Sequence, residues 1–452
     1  MPQIDLDHLQ ARMRERLDAY LRLPSVSTDP AYQEGMAGAR AFLVSLLTEL
    51  GFDNAQTLSA GGHPAVYGQW LGAPGAPTYL IYGHYDVQPP DPLDKWTTPA
   101  FEPTERNGRL YARGASDDKG PVLIALYALG AVLAEDGRLP FNVRILIEGE
   151  EEIGSRTLAE IIASHPELIK ADAVLSADGG RWRPDLASVN VGTRGNTGFE
   201  FSVITADKDL HSGRYGGILF NANHVVARIV ASLHHDDGTI AVPGFYDGIV
   251  MPDEAELAAT HAIDFDDAAF FAGLGAAPHG EAGYSTLERL WFRPTLEVNG
   301  LGGGYQGPGT KTVIPDRAFA KLTMRLVPGQ DPAATKAKVI AHIEAQLPQG
   351  VRLEIAQLRG DAGAYLLPAD HPLLAMVERA MEKLYDQKPL RVRIGASLPI
   401  NDVFKHTLGI DTVMFSFSTA DEDYHAPNEF IRVSALREGL QAWISLIQDA
   451  RT

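Results

Sequence analysis

The sequence Phe-Asn-Val-Arg-Ile-Leu-Ile at residues 141–147, followed at once by Glu-Gly-Glu-Glu-Glu at 148–152, decides the fold. Its first part is rich in apolar and β-branched residues and predicts a buried strand. Before it, residues 120–133 predict an apolar helix with Pro121 in its first turn, and residues 79–82 predict another short apolar strand. A strand, a helix and a second strand in this order indicate an α/β layer structure with a largely parallel sheet.

The same α/β pattern continues on both sides of a central segment. Further helices and strands of this kind are predicted at residues 6–21, 36–50, 173–175, 372–385, 412–417 and 433–448. The first three precede the central segment and the last three follow it. We therefore expect one α/β domain, formed by residues 1–193 and 363–452, in which helices flank a mostly parallel sheet.

The central segment, residues 194–362, has a different pattern. Amphipathic strands are predicted at residues 199–204, 318–326 and 353–358, and helices at 221–233 and 332–346. Two helices and several strands with hairpin-type connections predict a smaller α+β domain that is inserted into the first.

The composition restricts the chemistry that this chain can perform. Its 452 residues include 58 Asp and Glu against 39 Lys and Arg, a formal net charge of −19, with 14 His and no Cys. Without Cys the chain cannot form disulfides, iron–sulfur clusters, thiolate zinc sites or Cys nucleophiles, so any metal must be held by His, Asp and Glu. The acidic surplus argues against nucleic acid as a partner, because phosphate binding needs clustered Lys and Arg.

Neither a membrane span nor a secretory signal is expected. The longest uncharged apolar run, residues 121–134, has 14 residues, whereas a membrane span needs about 20. Residues 1–23 carry charges throughout and contain no apolar signal core. We therefore expect a protein of the cytoplasm that has no membrane partner.

Five short segments with His or carboxylate side chains follow predicted strands or precede the apolar helix. They are His84-Tyr85-Asp86, Asp117-Asp118, residues 148–152, Asp178-Gly179-Gly180, and residues 421–429 with His425. In open α/β sheets, ligands bind beyond the carboxyl ends of the strands. The five segments are therefore placed where a common site can form.

Each segment also has a simpler interpretation when it is taken alone. A loop histidine beside a solvated aspartate accounts for His84 with Asp86, and a helix cap accounts for one of Asp117 and Asp118. A solvated turn accounts for residues 148–152, and the fourth segment is a common turn. Capping needs only one aspartate, however, and four carboxylates in five residues repel one another unless cations are near. Together the five segments predict a metal site.

In their order along the chain, the five segments closely resemble the signature of the two-metal aminoacylase/carboxypeptidase/dipeptidase superfamily of metallopeptidases. This superfamily includes acetylornithine deacetylase, succinyl-diaminopimelate desuccinylase, glutamate carboxypeptidase and the cytosolic nonspecific (carnosine-type) dipeptidases. The match covers nearly the whole chain. It implies that the α/β domain is catalytic and that the inserted α+β domain is a lid and dimerisation domain.

The resemblance implies a site with two divalent metal ions. The ligands that it implies are His84 and Asp178 for one ion, Glu152 and His425 for the other, and Asp117 as a bridge between both. Asp117 would have a cis peptide bond to Asp118, Asp86 would orient His84, and Glu151 would be the general base. Zinc is the expected metal, because mixed His and carboxylate ligands suit it, and Mn or Co stay open as alternatives.

Three further residues lie in segments that resemble the dipeptidase branch. His211, in Asp-Leu-His-Ser-Gly, would reach across a homodimer interface and polarise the scissile carbonyl; an ordinary loop histidine is the alternative. Arg325, in Met-Arg-Leu-Val-Pro, would bind the C-terminal carboxylate of the substrate with its guanidinium fork; a strand-end salt bridge is the alternative. Ser397 would lie near the substrate, although Ala396 stands before it where relatives have Gly.

The resemblance therefore implies hydrolysis of the peptide bond of dipeptides or short peptides by a homodimeric enzyme, with a metal-activated water and Glu151 as base. An N-acyl amino-acid deacylase on the same scaffold is the alternative, since both enzymes cleave an amide next to a carboxylate. A non-catalytic peptide-binding protein that keeps the fold is a second alternative.

Overall fold

The computed structural model describes residues 4–358, 361–395 and 399–451. Their helices are α1 (Leu6–Leu21), α2 (Gln33–Glu49), α3 (Lys119–Asp136), α4 (Leu158–Ser164), α5 (Pro166–Ile169), α6 (Ser212–Tyr215), α7 (Ala222–Ala231), α8 (Glu254–His261), α9 (Asp267–Leu274), α10 (Thr286–Phe292), α11 (Pro332–Ala345), α12 (Pro372–Tyr385), α13 (Pro399–Leu408) and α14 (Val433–Asp449). Their strands are β1 (Asp53–Leu58), β2 (Ala65–Trp70), β3 (Thr78–His84), β4 (Thr104–Arg106), β5 (Arg109–Tyr111), β6 (Asn142–Glu148), β7 (Ala173–Ser176), β8 (Ser188–Thr193), β9 (Gly195–Ile204), β10 (Leu210–His211), β11 (Thr295–Gly303), β12 (Val313–Ile314), β13 (Arg317–Leu326), β14 (Arg352–Gln357), β15 (Tyr365–Leu366), β16 (Leu390–Ile394), β17 (Thr412–Met414) and β18 (Phe430–Arg432).

The described residues form two compact units. The first is drawn from residues 1–191, 367–392 and 399–452, and the second from residues 192–366 and 393–398. Within the described ranges no helix is both long enough and apolar enough to cross a membrane.

The first unit contains a six-stranded sheet in the order β1-β2-β6-β3-β7-β17. The pairs β6–β3, β3–β7 and β7–β17 are parallel, whereas β1 and β2 are antiparallel additions at one edge. The predicted α/β class with a mostly parallel sheet is therefore confirmed.

Burial explains why the central strands and α3 are so apolar in sequence. Six of the seven residues of β3 and of β6, and all four residues of β7, are buried, as expected for parallel strands that are covered on both faces. Helix α3 is buried nearly all round, so it has no polar face for water.

The second unit contains an antiparallel sheet in the order β11-β13-β9-β14. Burial alternates along β13, because one face of the sheet carries the core of this unit. That core includes Phe199 and Phe201 of β9, Leu322 of β13 and Val226 of α7. The separate antiparallel sheet with helices confirms the predicted α+β character of the central segment.

Several elements were absent from the sequence prediction. The described part of the central segment has six helices, α6 to α11, where two were predicted. Helices α8 and α9 contain one buried residue between them, Thr260, so neither presents an apolar stripe to a core. Strand β1 is also largely exposed, and its polar sequence lacks the apolar pattern of an inner strand.

Candidate active site

The carboxyl ends of the parallel strands lie at the same edge of the sheet. His84, the last residue of β3, is in register with Glu148, the last residue of β6. Ser176, the last residue of β7, is in register with Tyr82 of β3 and with Met414, the last residue of β17. The segments that follow these strands therefore start next to one another, where α/β proteins bind their ligands.

Asp117 lies between two histidines that are far apart in sequence. Its Oδ1 is 3.0 Å from Nε2 of His84, and its Oδ2 is 3.0 Å from Nε2 of His425. Nε2 of His425 is also 3.3 Å from Oε2 of Glu152. The carboxylates of Asp117 and Glu152 raise the pKa of His425 to about 10. Burial acts to raise the pKa of Asp117, but the hydrogen bonds with His425 and His84 outweigh it and lower that pKa.

Asp118 does not cap α3 with its side chain. It occupies the N-cap position of the helix without a side-chain cap hydrogen bond. Its Oδ2 instead accepts the main-chain N–H of His84 at 3.2 Å. The peptide bond between Asp117 and Asp118 is cis, in agreement with the prediction. The two aspartates thus face different partners, and the simple capping interpretation does not describe them.

Asp86 is buried and holds the loop after β6. Its carboxylate accepts the main-chain N–H of Glu151 at 3.2 Å and that of Glu152 at 3.1 Å. Nδ1 of His84 is 3.0 Å from the main-chain oxygen of Asp86 and 3.4 Å from its Oδ1. Asp86 therefore contacts His84 and also holds the main chain at both glutamates.

The four carboxylates of residues 148–152 divide into two pairs. Oε1 of Glu148 accepts the hydroxyls of Tyr82 and Ser155 at 2.6 and 2.9 Å, and burial raises the pKa of Glu148 to about 7. Glu150 is buried and accepts hydrogen bonds from Thr157. The loop is therefore not a solvated acidic turn, and Glu152 contacts the histidine cluster through His425.

Glu151 and Glu152 differ in their partners. Oε2 of Glu152 accepts a hydrogen bond from Nε2 of Gln88 at 2.6 Å, in addition to its contact with His425. Among the described residues no donor hydrogen-bonds to the Glu151 carboxylate. Burial raises the pKa of Glu151 well above its usual range. Gln88 had no sequence signal, because a lone glutamine in a loop resembles any solvated side chain.

The donor set fits divalent metal ions. Two groups of side chains have ligand atoms within 4.8 Å of one another: His84, Asp117 and Asp178, and Asp117, Glu152 and His425. Asp178 is buried, its Oδ2 has no hydrogen-bond partner, and burial raises its pKa to about 6. Three clustered carboxylates with an unsatisfied buried oxygen favour a bound cation, and His with carboxylate ligands suits zinc.

A buried glutamate outside the predicted set holds the loop that carries Asp117. Oε1 of Glu429 accepts the main-chain N–H of Ser116 at 2.9 Å and that of Asp117 at 3.1 Å. Its Oε2 accepts the N–H of Gly114 at 2.9 Å and Nη1 of Arg113 at 2.8 Å. Glu429 lies four residues after His425, so one short segment both supplies a histidine and supports the neighbouring loop.

Two of the remaining predicted residues, His211 and Arg325, belong to the second unit. His211 ends β10, is exposed, and accepts the N–H of Gly213 on Nδ1 at 3.0 Å. Arg325 is half-buried on β13, in register with Thr295 of β11, and lines a cleft with Arg194. Ser397 lies outside the described residues.

Comparison with known proteins gives a consistent result. A protein-family model described as "Peptidase family M20/M25/M40" matches residues 80–449. Beta-Ala-His dipeptidase from Homo sapiens is 31% identical over 382 residues, which cover 81% of this chain and 74% of that protein. Cys-Gly metallodipeptidase from Candida albicans is 29% identical over 454 residues, which cover 95% and 92%. The crystal structure of an M20 family metallo-carboxypeptidase from Sulfolobus solfataricus superposes with a TM-score of 0.84 at 30% identity, covering 97% of this chain and 99% of that one.

Proposed function

The chain belongs to peptidase family M20/M25/M40, and we propose that it is a metal-dependent exopeptidase that hydrolyses the peptide bond of dipeptides or short peptides. Relatives named Beta-Ala-His dipeptidase and Cys-Gly metallodipeptidase support dipeptides as the substrate class. The observation that carries the proposal is the position of Asp117, whose two carboxylate oxygens each lie 3.0 Å from a different histidine.

Five side chains would hold two divalent ions. His84 and Asp178 would bind the first, Glu152 and His425 the second, and Asp117 both; the two donor groups share Asp117. Zinc is the proposed metal, with Mn or Co as alternatives, because the donors are imidazole nitrogens and carboxylate oxygens. When bound, the ions supply Lewis acidity and lower the pKa of a water molecule.

Glu151 would act as the general base and then as the general acid. It would take a proton from the attacking water and return it to the leaving amine. The hydrogen bonds from the main chain of Glu151 and Glu152 to Asp86 fix the loop, and Glu152 is already paired with Gln88 and His425. Among the described residues the side chain of Glu151 therefore has no competing hydrogen bond, and the bound cations would favour the ionised form that can act as the base.

Three residues would act on the substrate. Arg325 would bind the C-terminal carboxylate, for which a planar guanidinium is well shaped. His211 would stabilise the oxyanion that forms on the scissile carbonyl. Ser397 would lie near the substrate.

A Glu151→Gln variant tests the proposal. It should retain two metal ions per chain and lose about 10²–10⁴-fold in kcat, the usual contribution of general acid–base catalysis. Metal content by plasma emission spectroscopy and hydrolysis of free dipeptides are the two measurements. Glu160→Gln, on the exposed side of α4, is the matched control and should keep full activity. Retained activity in Glu151→Gln with unchanged metal content would refute the assignment of Glu151.

The substrate panel separates the proposal from its alternatives. Unblocked dipeptides and N-acetyl amino acids should be assayed side by side. Preference for N-acetyl amino acids would make the chain a deacylase. No hydrolysis of either by a chain loaded with two metals would make it a binding protein.

We also propose a homodimer that forms through the second unit. Strand β11 is an edge strand of its sheet and exposes Val298 and Leu301. Ile218 and Phe220 are also exposed, at 77% and 47%, and they lie just before Asn223, whose Nδ2 donates to Gly303 at the end of β11. An exposed edge with apolar side chains is a surface that proteins normally cover.

Mixing two inactive variants tests whether the active site is shared between subunits. His211→Ala lacks the oxyanion donor, and Glu151→Gln lacks the base. If His211 of one subunit acts at the metal centre of the other, the mixed dimer contains one complete site and regains activity. No recovery, with subunit exchange demonstrated by mass-tagged chains, would contradict a shared site.

A further inference from the structure

A cleft of about 660 Å³ lies within the second unit, on strands β11 and β13. Thr295 and Glu297 of β11 line it beside their cross-strand partners, Arg325 and Thr323 of β13. Its size is that of a site for a small molecule or one amino-acid residue. Because every lining residue belongs to this unit, the cleft is formed by the unit alone.

The cleft is positively charged, although the chain as a whole carries −19. Its lining contains four arginines and two glutamates: Arg194, Arg289, Arg293, Arg325, Glu281 and Glu297. With its two histidines neutral, the lining has a net charge of +2. Burial lowers the pKa of His234, one of these histidines, which favours its neutral form. The cleft is therefore suited to an anion.

Two of the four arginines are engaged with Glu281. Arg293 donates from Nε and Nη2 to both carboxylate oxygens of Glu281, at 2.7 and 2.6 Å. Nε of Arg289 donates to the main-chain oxygen of Glu281 at 2.9 Å. These contacts make one side of the cleft rigid, because a bidentate arginine–carboxylate pair is among the stronger polar contacts in proteins.

Arg194 has no such partner. Its Nε donates to the main-chain oxygen of Gly395 at 2.7 Å, and no carboxylate of the described residues lies within ion-pair distance of it. Burial and the positive charge of Arg325 lower the pKa of Arg194 to about 10. Two guanidinium groups that repel each other in a half-buried cleft are stabilised by anions between or beside them.

We propose that this cleft binds two carboxylates of one molecule, the first through Arg325 and the second through Arg194. The inference rests on the function proposed above, in which Arg325 binds the C-terminal carboxylate of the peptide. The second carboxylate is then the side chain of the C-terminal residue, so the favoured substrates are peptides that end in Glu or Asp. A dianion of this kind neutralises the net charge of +2.

A pair of nearly isosteric substrates tests this preference. Ala-Glu and Ala-Gln differ in a single group, a carboxylate against an amide. The kcat/KM for Ala-Glu should exceed that for Ala-Gln by about tenfold, since charge-assisted hydrogen bonds are roughly twice as strong as neutral ones. Arg194→Met should abolish most of this ratio. Arg352→Met, which removes an exposed arginine paired with Asp207, is the matched control and should leave the ratio unchanged.

Direct binding separates this inference from the proposed function. Glutarate and its monoamide, glutaramate, are titrated into the full chain by calorimetry. Glutarate should bind about tenfold more tightly, and Arg194→Met should remove that difference; a contribution from the metal site would persist in the variant. If neither Ala-Glu nor Ala-Gln is hydrolysed, the proposed function fails and this titration still decides the inference. Equal affinities for the two acids, or equal kcat/KM for the two dipeptides, would overturn it.

A second variant covers the case in which Arg194→Met does not fold. Arg194→Lys keeps the charge and loses the planar fork, so it should retain part of the Ala-Glu preference. Thermal melts followed by circular dichroism establish whether each variant is folded. A full preference in folded Arg194→Lys and folded Arg194→Met alike would exclude Arg194 from the site.

Discussion

Glu429 is buried, and its two oxygens receive three main-chain N–H groups and one arginine. A carboxylate can accept all four of these hydrogen bonds because it carries two acceptor oxygens and no donor. Its position fixes the main chain that presents Asp117, and it does so without contact to the histidines. We infer that Glu429 is a positioning residue for the metal site.

Replacing Glu429 by glutamine should weaken both stability and metal binding. The amide turns one acceptor into a donor that faces N–H groups, and it leaves buried Arg113 without its counter-charge. The expected cost is about 2–4 kcal/mol in the free energy of unfolding and about 10–100-fold in metal affinity. Urea denaturation and calorimetric titration of zinc into the metal-free protein measure the two effects. Glu354→Gln, which removes an exposed partner of Arg317, should change neither, and an unaltered zinc affinity in Glu429→Gln would argue against the positioning role.

The residue types in the sequence indicated the chemistry of the site. They did not indicate which residues hold the candidate ligands in place. His84, Asp117 and Asp178 stand beside a predicted strand or the apolar helix, and the five segments together predicted a metal site. The role of each residue was implied by the resemblance to the metallopeptidases. Gln88 looks like a solvated loop residue in the sequence, and Glu429, although it ends the fifth segment, was given no role of its own. Their roles depend on which N–H groups the fold brings to them, which no local pattern encodes.

Strand β3 and helix α3 approach closely at Gly83. A Cβ atom at this position would lie 2.6 Å from Oδ2 of Asp118 and would clash with a methyl group of Val122. The same Asp118 oxygen accepts the N–H of His84. Glycine is therefore needed for the contact between the strand that carries His84 and the helix that follows Asp117.

A Gly83→Ala substitution should destabilise the protein by about 1–3 kcal/mol, the usual cost of inserting a methyl group into a packed interior. Urea denaturation at equilibrium measures this change. Gly273→Ala is the control, because a Cβ there meets open space within α9, and it should be neutral or stabilising by up to about 1 kcal/mol. A Gly83→Ala variant as stable as the wild type would contradict the close contact between β3 and α3 at this position.

The elements that were predicted well are those that pack against a core. Helix α1 begins and ends at the predicted residues, and α12 does as well. The helices α8 and α9 were missed, because their side chains are mostly exposed and leave no apolar period of 3.6 residues. An apolar period in the sequence arises when one face of a helix or strand is buried. It therefore predicts only the elements that pack against a core.

At the scale of the whole molecule, the alternation of strands and helices predicted the α/β class, and the change of pattern after residue 193 predicted an inserted α+β segment. The strand order in the six-stranded sheet was not predicted. Strands β1 and β2, which pair at its antiparallel edge, were not among the predicted strands. Register between distant strands depends on tertiary packing. The net charge of −19 has no structural explanation, and it makes the local charge of +2 in the cleft a distinct feature of the second unit.

Removing metal should destabilise the first unit and spare the second. All five candidate ligands belong to the first unit, and without cations three of them are carboxylates held within a few ångströms of one another, which repel. A ligand present at 100 times its Kd stabilises the native state by about 2.7 kcal/mol. Hydrogen exchange with mass spectrometry, before and after a chelator, should therefore show lost protection in residues 114–118, 150–154 and 419–429. Strands β9 and β13 pack on a core of their own, so their amides should keep their protection. Adding zinc at two ions per chain should restore the protection that was lost in the first unit. Equal loss of protection in both units would mean that the metal site stabilises the chain as one cooperative body.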